Sequence, residues 1–238
     1  MTYCVAAALA EGIVFASDSR TSAGVDHVAT YSKMNLFEVP GERLIVILAA
    51  GNLATTQSVV SLLRSRAAEG IHARPSLYEV AALAGETLRE VTQRDGEALA
   101  QAKIDPGCNF ILGGQVRGEA PRLFHVYPQG NFIESTRDTS YFQIGETKYG
   151  KPILDRVLGF DSSINDAAKC MLVSFDSTMR SNLSVGLPID LLAYETGRLR
   201  VTLRRRFTGE DAYFREISRY WSGGLRRLFA EAPDVSWG

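Results

Sequence analysis

The sequence lacks a predominance of either charge, and it lacks any long hydrophobic run. It carries 26 lysines and arginines against 27 aspartates and glutamates, which gives a formal net charge of -1. So nearly neutral a chain has no broad electrostatic attraction to nucleic acid or to an acidic membrane surface. No stretch approaches the roughly 18 consecutive apolar residues of a membrane-spanning helix. We therefore expect neither a nucleic-acid partner nor a membrane partner.

Cysteine and histidine are also scarce, with three of each. Cys4, Cys108 and Cys170 are odd in number and far apart, so they do not outline a disulfide framework. The histidines have no metal-ligand neighbours, which predicts solvated or packed side chains. No basic residue precedes the apolar stretch 3–10, in contrast to an export signal. These features favour a cytoplasmic protein with no metal and no organic cofactor.

The chain does contain enough apolar sequence for a sizeable core, since 45% of its 238 residues are hydrophobic. Predicted strands come in blocks separated by pairs of predicted helices, rather than in strict alternation. That order favours an α+β layered sandwich with largely antiparallel sheets. No internal repeat and no low-complexity linker marks a domain boundary. We therefore predict a single domain over residues 1–238.

The predicted strands are bounded by turn-forming residues. They cover residues 3–9, 13–19, 34–39, 44–50, 109–116, 123–127, 132–134, 141–144, 191–194 and 199–205. The predicted helices begin at capping residues such as Asn52 and Ser76, and the polar stretch 20–32 is predicted to be a loop. The helices cover residues 52–68, 76–93, 151–158, 165–180 and 211–229.

The first predicted hairpin places two polar side chains on one face. We expect a three-residue loop over residues 10–12, in which glycine takes a positive φ. Leu9 then pairs with Ile13, and Thr2 and Asp18 project from the same face, roughly 7 Å apart as diagonal neighbours. A two-residue loop would put Thr2 and Asp18 on opposite faces.

Lys33 begins the third predicted strand and is the candidate bridge between these side chains. An ammonium held by the Asp18 carboxylate favours loss of a proton from Thr2. The Thr2 hydroxyl is a weak nucleophile unaided, but a free α-amine with a pKa of about 8 is a base within reach of it. This chemistry requires removal of Met1, which we expect because threonine is small. The N–H of Gly51, at the start of a predicted helix, is placed to bind a developing oxyanion.

Each of these residues also has a purely structural interpretation. Threonine can occupy position two by chance, and Asp18 can solvate a strand end. Lys33 can protect a strand edge, and Gly51 can serve as a strand-to-helix turn. Taken singly, the structural interpretation is the more frequent one. Only the combination of the four predicts a mechanism.

Longer segments of the chain resemble proteasome β-type subunits. The resemblance is carried by the Met-Thr start, Ser17-Asp18-Ser19-Arg20-Thr21 followed by Ala23-Gly24, Lys33, Ala49-Ala50-Gly51-Asn52-Leu53-Ala54, and residues 109–115, 123–130 and 141–145. It covers most of residues 2–200. Residues 50–57 and 176–188 are more narrowly similar to the bacterial ancestral β-subunits, the Anbu branch of this family.

The resemblance implies a four-layer αββα sandwich of the N-terminal-nucleophile hydrolase type. It implies Thr2 as the nucleophile, Asp18 and Lys33 as its supporting pair, and Gly51 as the oxyanion donor. It also implies a homo-oligomer, because head-to-tail contacts between subunits either close into rings or continue as an open helix. Whether an ATP-dependent unfoldase is a partner does not follow from the resemblance.

Further roles follow from the resemblance alone. The family carries a serine where this chain has Glu146, and a carboxylate there would hold the amine protonated or bind a cationic substrate amine. Asp176 matches a later acid that assists the terminal amine, with Ser177 or Ser181 as its companion. Ser22 stands where family members hold the substrate backbone, and a plain polar loop residue is the alternative interpretation.

The last predicted helix has a wide apolar face. Packing against the sandwich is the first interpretation, and a subunit contact through the segment of about 209–238 is the alternative. Trp237, on a short tail, is a candidate anchor on a neighbouring subunit. The basic run 204–206 is predicted to be a solvated strand edge.

The sequence thus predicts a threonine-type peptidase or amide hydrolase that acts on a peptide or protein substrate within a homo-oligomer. A narrow-specificity amidase or transpeptidase on a small peptide is a second hypothesis, to which Glu146 is suited. An inactive scaffold subunit is the third. Proteasome α chains carry an N-terminal helical extension, whereas here methionine directly precedes Thr2, which argues against the scaffold.

Overall fold

The computed structural model describes residues 2–22 and 28–237, except the side chains of Ser22 and Val28. Its strands are β1 (Tyr3–Leu9), β2 (Gly12–Asp18), β3 (Arg20–Ser22), β4 (Val28–Thr30), β5 (Met34–Val39), β6 (Arg43–Gly51), β7 (Cys108–Val116), β8 (Arg122–Val126), β9 (Phe132–Glu134), β10 (Tyr141–Gly145), β11 (Ile189–Glu195) and β12 (Leu203–Phe207). Its helices are α1 (Leu53–Ser65), α2 (Leu77–Gln101), α3 (Lys151–Val157), α4 (Ile164–Ser181) and α5 (Ala212–Glu231).

Two antiparallel sheets are stacked face to face between helices. The first has the order β10-β1-β2-β11-β12 and the second β5-β6-β7-β8-β9, while β3 and β4 form a separate short ribbon. Helices α1 and α2 pack on the outer face of the second sheet. Helices α3 and α4 pack on the outer face of the first, and α5 packs against α4. The protein is therefore an αββα sandwich, which confirms the predicted fold class.

Strand β1 lies at the centre of this sandwich. Tyr3, Val5 and Ala7 face the helical layer, whereas Cys4 and Ala6 face the other sheet. Since successive side chains point to opposite faces, a strand buried on both faces needs apolar residues throughout. The start of β1 is therefore packed against the helical layer on one face and against the second sheet on the other. Thr2 directly precedes this strand.

The first hairpin differs from its prediction by one residue. Leu9 pairs with Gly12, so the loop has two residues rather than three. Gly12 opens β2, where a Cβ would lie 1.8 Å from the carbonyl oxygen of Tyr194 in β11. Gly12 has the predicted positive φ, +156°, but it lies in β2 rather than in the loop, and its lack of a side chain allows the close approach of β11.

Two element boundaries also differ from the prediction. Helix α2 continues to Gln101, although its last buried residue is Val91. The turns after Val91 bury no side chain, so they lack the apolar periodicity from which the helix was predicted. Strand β12 begins at Leu203 rather than at Leu199, which has a φ of +47°.

The segment before β12 is bound to another part of the fold. The Leu199 carbonyl accepts a hydrogen bond from Gly41 N at 3.0 Å, and Val201 N donates to Glu38 Oε1 at 3.0 Å. These bonds tie the segment to β5 and the β5–β6 turn, and Leu199 N also donates to the Tyr194 hydroxyl of β11 at 3.1 Å. The predicted loop 20–32 likewise contains the ribbon β3–β4. Among the described helices, none has the length and apolar character required to cross a membrane.

Candidate active site

Thr2 is fixed by the backbone on both of its sides. Its carbonyl oxygen accepts a hydrogen bond from Glu146 N at 2.7 Å, and the next amide, Tyr3 N, donates to Asp18 Oδ1 at 2.9 Å. Gly145, with φ +84°, lies so close that a Cβ there would be 2.0 Å from the Thr2 carbonyl oxygen. The position therefore requires glycine, because it combines a left-handed conformation with close backbone approach.

Asp18 and Lys33 form a buried ion pair beside Thr2. Lys33 Nζ lies 2.7 Å from Asp18 Oδ1, and the two side chains are 7% and 0% exposed. Nζ also donates to the Arg20 carbonyl oxygen at 2.7 Å, while Asp18 Oδ2 accepts from Gly186 N at 3.4 Å. Burial raises the pKa of the Asp18 carboxyl above its ordinary value, and the Lys33 ammonium offsets part of that rise. The pair places a fixed ammonium next to the threonine.

A two-residue hairpin loop was expected to put Thr2 and Asp18 on opposite faces of the sheet. The Asp18 carboxylate nevertheless lies next to Thr2, because it binds the following amide, Tyr3 N. Thr2 precedes the β1 ladder, and Asp18 is the last residue of β2, where the backbone leaves the sheet. Alternation of faces therefore does not govern these two terminal positions. The Asp18 carboxylate lies under the start of β1, where it accepts the Tyr3 N–H.

A polar network, which the sequence did not predict, holds the segment that supplies Lys33. Ser32 Oγ donates to Asp190 Oδ2 at 3.2 Å, and Arg206 binds both oxygens of Asp190 at 2.9 and 3.1 Å. Arg206 also donates to Ser19 Oγ at 3.3 Å. Arg206 is 44% exposed, in agreement with the predicted solvated edge, but its guanidinium also bonds to Asp190 and Ser19. Asp190 and Arg206 face each other on the consecutive strands β11 and β12, whereas Ser19 and Ser32 reach them from segments far away in sequence, so no local pattern signals the whole network.

A cleft of about 330 Å³ opens beside Thr2. Thr2, Lys33 and Gly51 all line it, as predicted for members of one site. Gly51 ends β6 with φ +118°, and a Cβ there would lie 2.4 Å from the Gly107 carbonyl oxygen. Helix α1 begins just after it, where Asn52 Oδ1 accepts from Thr55 N at 3.2 Å. The positive end of the α1 dipole therefore lies at the cleft.

The Glu146 carboxylate is buried and held in place. Its Oε1 accepts from Lys148 N at 2.9 Å, and its Oε2 accepts from Asn182 Nδ2 at 2.7 Å. The backbone N–H of the same residue, Glu146, donates to the Thr2 carbonyl oxygen. The carboxylate is therefore connected to the threonine through the backbone of a single residue. Asn182 was not among the predicted site residues. The available signal was its place in the segment 176–188, directly after α4.

The structure does not bring Asp176, Ser177 and Ser181 into the cleft. All three lie on α4, and Asp176 Oδ2 accepts from Arg180 at 3.3 Å. Arg180 in turn donates to Ser218 Oγ of α5 at 3.3 Å, so Asp176 is linked to α5 through Arg180. None of the three lines the cleft.

Two predicted features lie outside the described residues. They are the side chain of Ser22, proposed to hold substrate, and Met1, whose removal the mechanism requires. In the described ranges, no cluster of three or more histidine, cysteine, aspartate or glutamate side chains is arranged to hold a metal ion.

Comparison with known proteins gives one family. The family described as "Proteasome subunit" matches residues 2–191. The chain is similar to the structure of Anbu (ancestral β-subunit) from Yersinia bercovieri, with 52% identity, a TM-score of 0.94 and 100% of each chain covered. A structure described as the helical assembly of the Anbu complex from Pseudomonas aeruginosa has 52% identity and a TM-score of 0.93, with 99% of each chain covered.

A Gly-1 mutant of Anbu from Hyphomicrobium sp. strain MC1 is similar to the same extent. Its identity is 50% and its TM-score 0.93, over 99% of this chain and 100% of that chain. No curated protein matches the chain.

Proposed function

Because this chain belongs to the proteasome subunit family, and within it to the Anbu branch, we propose that it hydrolyses peptide amide bonds with Thr2 as its nucleophile. One observation carries the proposal. Thr2 lines a cleft together with Lys33, its backbone is fixed on both sides, and the next amide binds the carboxylate of the buried Asp18–Lys33 pair. Burying an ion pair is costly, and its position beside a hydroxyl is the arrangement that activates a nucleophile.

The reaction begins when removal of Met1 frees the α-amine of Thr2. The amine accepts the proton of Thr2 Oγ as the oxygen attacks the substrate carbonyl carbon. The oxyanion that forms faces Gly51 and the start of α1. The C–N bond then breaks, and the proton held by the amine passes to the departing amine. This leaves the acyl group as an ester on Oγ.

Hydrolysis of the ester repeats the same proton movements with water. The Thr2 amine takes a proton from a water molecule as that oxygen attacks the ester carbonyl. The C–Oγ bond breaks, and the proton returns to Oγ. Throughout, the charge of Lys33 stabilises the deprotonated oxygen, while Asp18 holds the ammonium in position.

Glu146 favours a second candidate, a narrow-specificity amidase or transpeptidase. Its buried carboxylate is held by Asn182 and Lys148 beside the Thr2 backbone. A fixed anion near the terminal amine favours the protonated amine, which is a weaker base, and it also suits a substrate with a cationic amine. Slow general proteolysis combined with turnover of a small cationic peptide would support this candidate.

We also propose that the chain self-associates in the cytoplasm into a homo-oligomer. The similar Pseudomonas aeruginosa protein is described as a helical assembly, and head-to-tail contacts of one surface with another produce such helices. All three cysteines are free and buried, as suits a reducing compartment.

The first test is covalent labelling with a peptide epoxyketone, which reacts with an amine and a hydroxyl together. Intact-mass measurement and N-terminal sequencing should locate one adduct on Thr2. The variant Thr2→Ala should give none, and Thr2→Ser should retain it because the hydroxyl and the amine persist. Protein that keeps Met1 and remains unlabelled would contradict the proposal and favour a scaffold subunit.

A further inference from the structure

One face of helix α1 forms a wall of the cleft. Leu53, Thr56, Val60 and Arg64 line the cleft at intervals of three and four residues. Residues at this spacing share a face of a helix, so the wall runs for three turns from the start of α1. Thr2 and Arg64, which lies in the last turn of α1, both line the cleft.

The side chain of Arg64 is exposed, and it makes only weak polar contacts with the neighbouring strand β5. Its Nη1 donates to the Leu36 carbonyl oxygen and its Nη2 to Asn35 Oδ1, each at a long 3.4 Å. The Cζ atom stands 4.8 Å from the centroid of the Phe37 ring. An arginine has five N–H donors, so these two weak bonds leave most of its capacity unused. Within the described residues, no carboxylate forms an ion pair with it.

The rest of the cleft lining is partly polar and partly apolar, and its described residues include no acid. Besides Thr2, Lys33 and Arg64, the polar residues that line it are Thr21, Tyr31, Ser32, Asn35, Thr56, Gln57 and Ser61. The Thr21 hydroxyl is buried and, in the described part of the chain, has no hydrogen-bond partner. The charge of the other cation in the wall, Lys33, is balanced by Asp18. The uncompensated charge of the cleft is therefore the one on Arg64.

We propose that the cleft receives an acidic group on the acyl side of the scissile amide, with Arg64 binding its carboxylate. The inference rests on Thr2 as the reacting residue, and it names the substrate class of that site. The planar guanidinium fork matches a carboxylate in two parallel hydrogen bonds. Because Arg64 lies in the last turn of α1, about three helical turns beyond the residues that follow Gly51, the longer glutamate suits it better than aspartate.

The test compares two peptide epoxyketones that differ only in glutamate or glutamine at the residue that carries the electrophile. The second-order rate of Thr2 labelling is measured by intact mass at low ionic strength. We expect the glutamate compound to react about tenfold faster, since tenfold corresponds to one modest charge-assisted bond. The aspartate compound should fall between them, and the preference should shrink as salt is added.

Variants assign the preference to one residue. Arg64→Gln should abolish the difference between the two compounds, and Arg64→Glu should make the glutamine compound the faster one. Arg66→Gln is the matched control, because Arg66 is exposed, pairs with Glu90 at 2.7 Å and does not line the cleft. Equal rates in the unaltered protein, or a preference that survives Arg64→Gln, would overturn the inference.

A binding measurement separates this inference from the proposed function. Acetyl-Ala-Ala-Glu-amide and its glutamine counterpart are titrated calorimetrically into the Thr2→Ala variant, with and without Arg64→Gln. Preferential binding of the glutamate peptide that is lost with Arg64 supports the inference even if no epoxyketone labels Thr2. Equal binding of the two peptides, or no binding of either, refutes the inference. Labelling of Thr2 by either epoxyketone would still support the proposed hydrolase function.

Discussion

Asp18 and Lys33 each depend on the other for burial. Removing one partner of a buried ion pair leaves the other charge uncompensated, which costs roughly 3–5 kcal/mol of folding free energy. We therefore expect Asp18→Asn and Lys33→Met each to lower stability by about that amount and to abolish Thr2 labelling. Urea unfolding gives the first quantity and intact mass the second.

The matched control is a surface pair. Lys151 and Asp155 also lie 2.7 Å apart, but each is about half exposed. Lys151→Met should cost no more than about 1 kcal/mol, because water screens that pair. Similar losses in the buried and exposed pairs would argue against a special role for the site pair.

Glu146 should set the basicity of the Thr2 amine. Replacing the carboxylate by Glu146→Gln or Glu146→Ser removes an anion that favours the protonated amine, so the pKa of the amine should fall. More free base is then present at neutral pH, and labelling should accelerate. The pH–rate profile measures this, since its acid limb should move to lower pH in both variants. Glu134→Gln, in the surface pair with Arg122, should leave the profile in place.

At the scale of the element, the last residue of β10 determines where the nucleophile sits. Gly145→Ala forces a side chain into positive φ and against the Thr2 carbonyl, where the Cβ would be 2.0 Å from the oxygen. The conformation alone costs about 1–2 kcal/mol, and the backbone clash should add to it while displacing Thr2. Stability and labelling rate should therefore both fall.

Gly118→Ala isolates the conformational part of that effect. Gly118 has φ +90°, but nothing lies within 4 Å of a Cβ built there. The Gly118→Ala variant should lose only the roughly 1–2 kcal/mol that the positive φ costs, and Thr2 should still be labelled. A Gly145→Ala protein that labels as fast as Gly118→Ala would show that β10 does not position the threonine.

Local patterns predicted most of these elements because caps and apolar periodicity act over a few residues. Asn52 and Ser76 cap helices as expected, and the hairpin β5–β6 has its predicted turn. The predicted register of the first hairpin was wrong by one residue. Gly12 pairs with β11, a strand far along the chain, and that contact is not visible in the hairpin's own sequence. Contacts between distant segments leave no local signature.

The same distinction separates the site residues. Thr2, Asp18, Lys33 and Gly51 stand at strand ends that the fold class brings together, so the sequence could group them. Asp176 was chosen by similarity of sequence, yet it does not line the cleft and pairs with Arg180 on its own helix. The orientation of a buried helix depends on its whole packing, which one sequence does not specify.

At the scale of the whole molecule, the outer half of α5 is apolar and uncovered. Its first half contributes Phe214 and Ile217 to the core, but Tyr220, Leu228 and Phe229 are exposed, Phe229 by 85%. In the following tail, Trp237 is 91% exposed. A cluster of large apolar side chains in water is the usual mark of a protein contact surface. In a homo-oligomer, a second copy is the partner that would cover it.

Deleting residues 232–238 together with Phe229→Ser should therefore reduce the mass of the assembly, which light scattering after size exclusion measures. Thermal stability of the subunit should barely change, because neither the tail nor Phe229 packs in the core. Ile104→Ser, at an exposed apolar site after α2, is the control and should leave the mass unaltered. An unchanged mass in the truncated variant would exclude this surface from assembly. A reduced mass with Thr2 labelling retained would show that subunits carry a complete site, whereas loss of labelling would mean that neighbouring copies help to form the cleft.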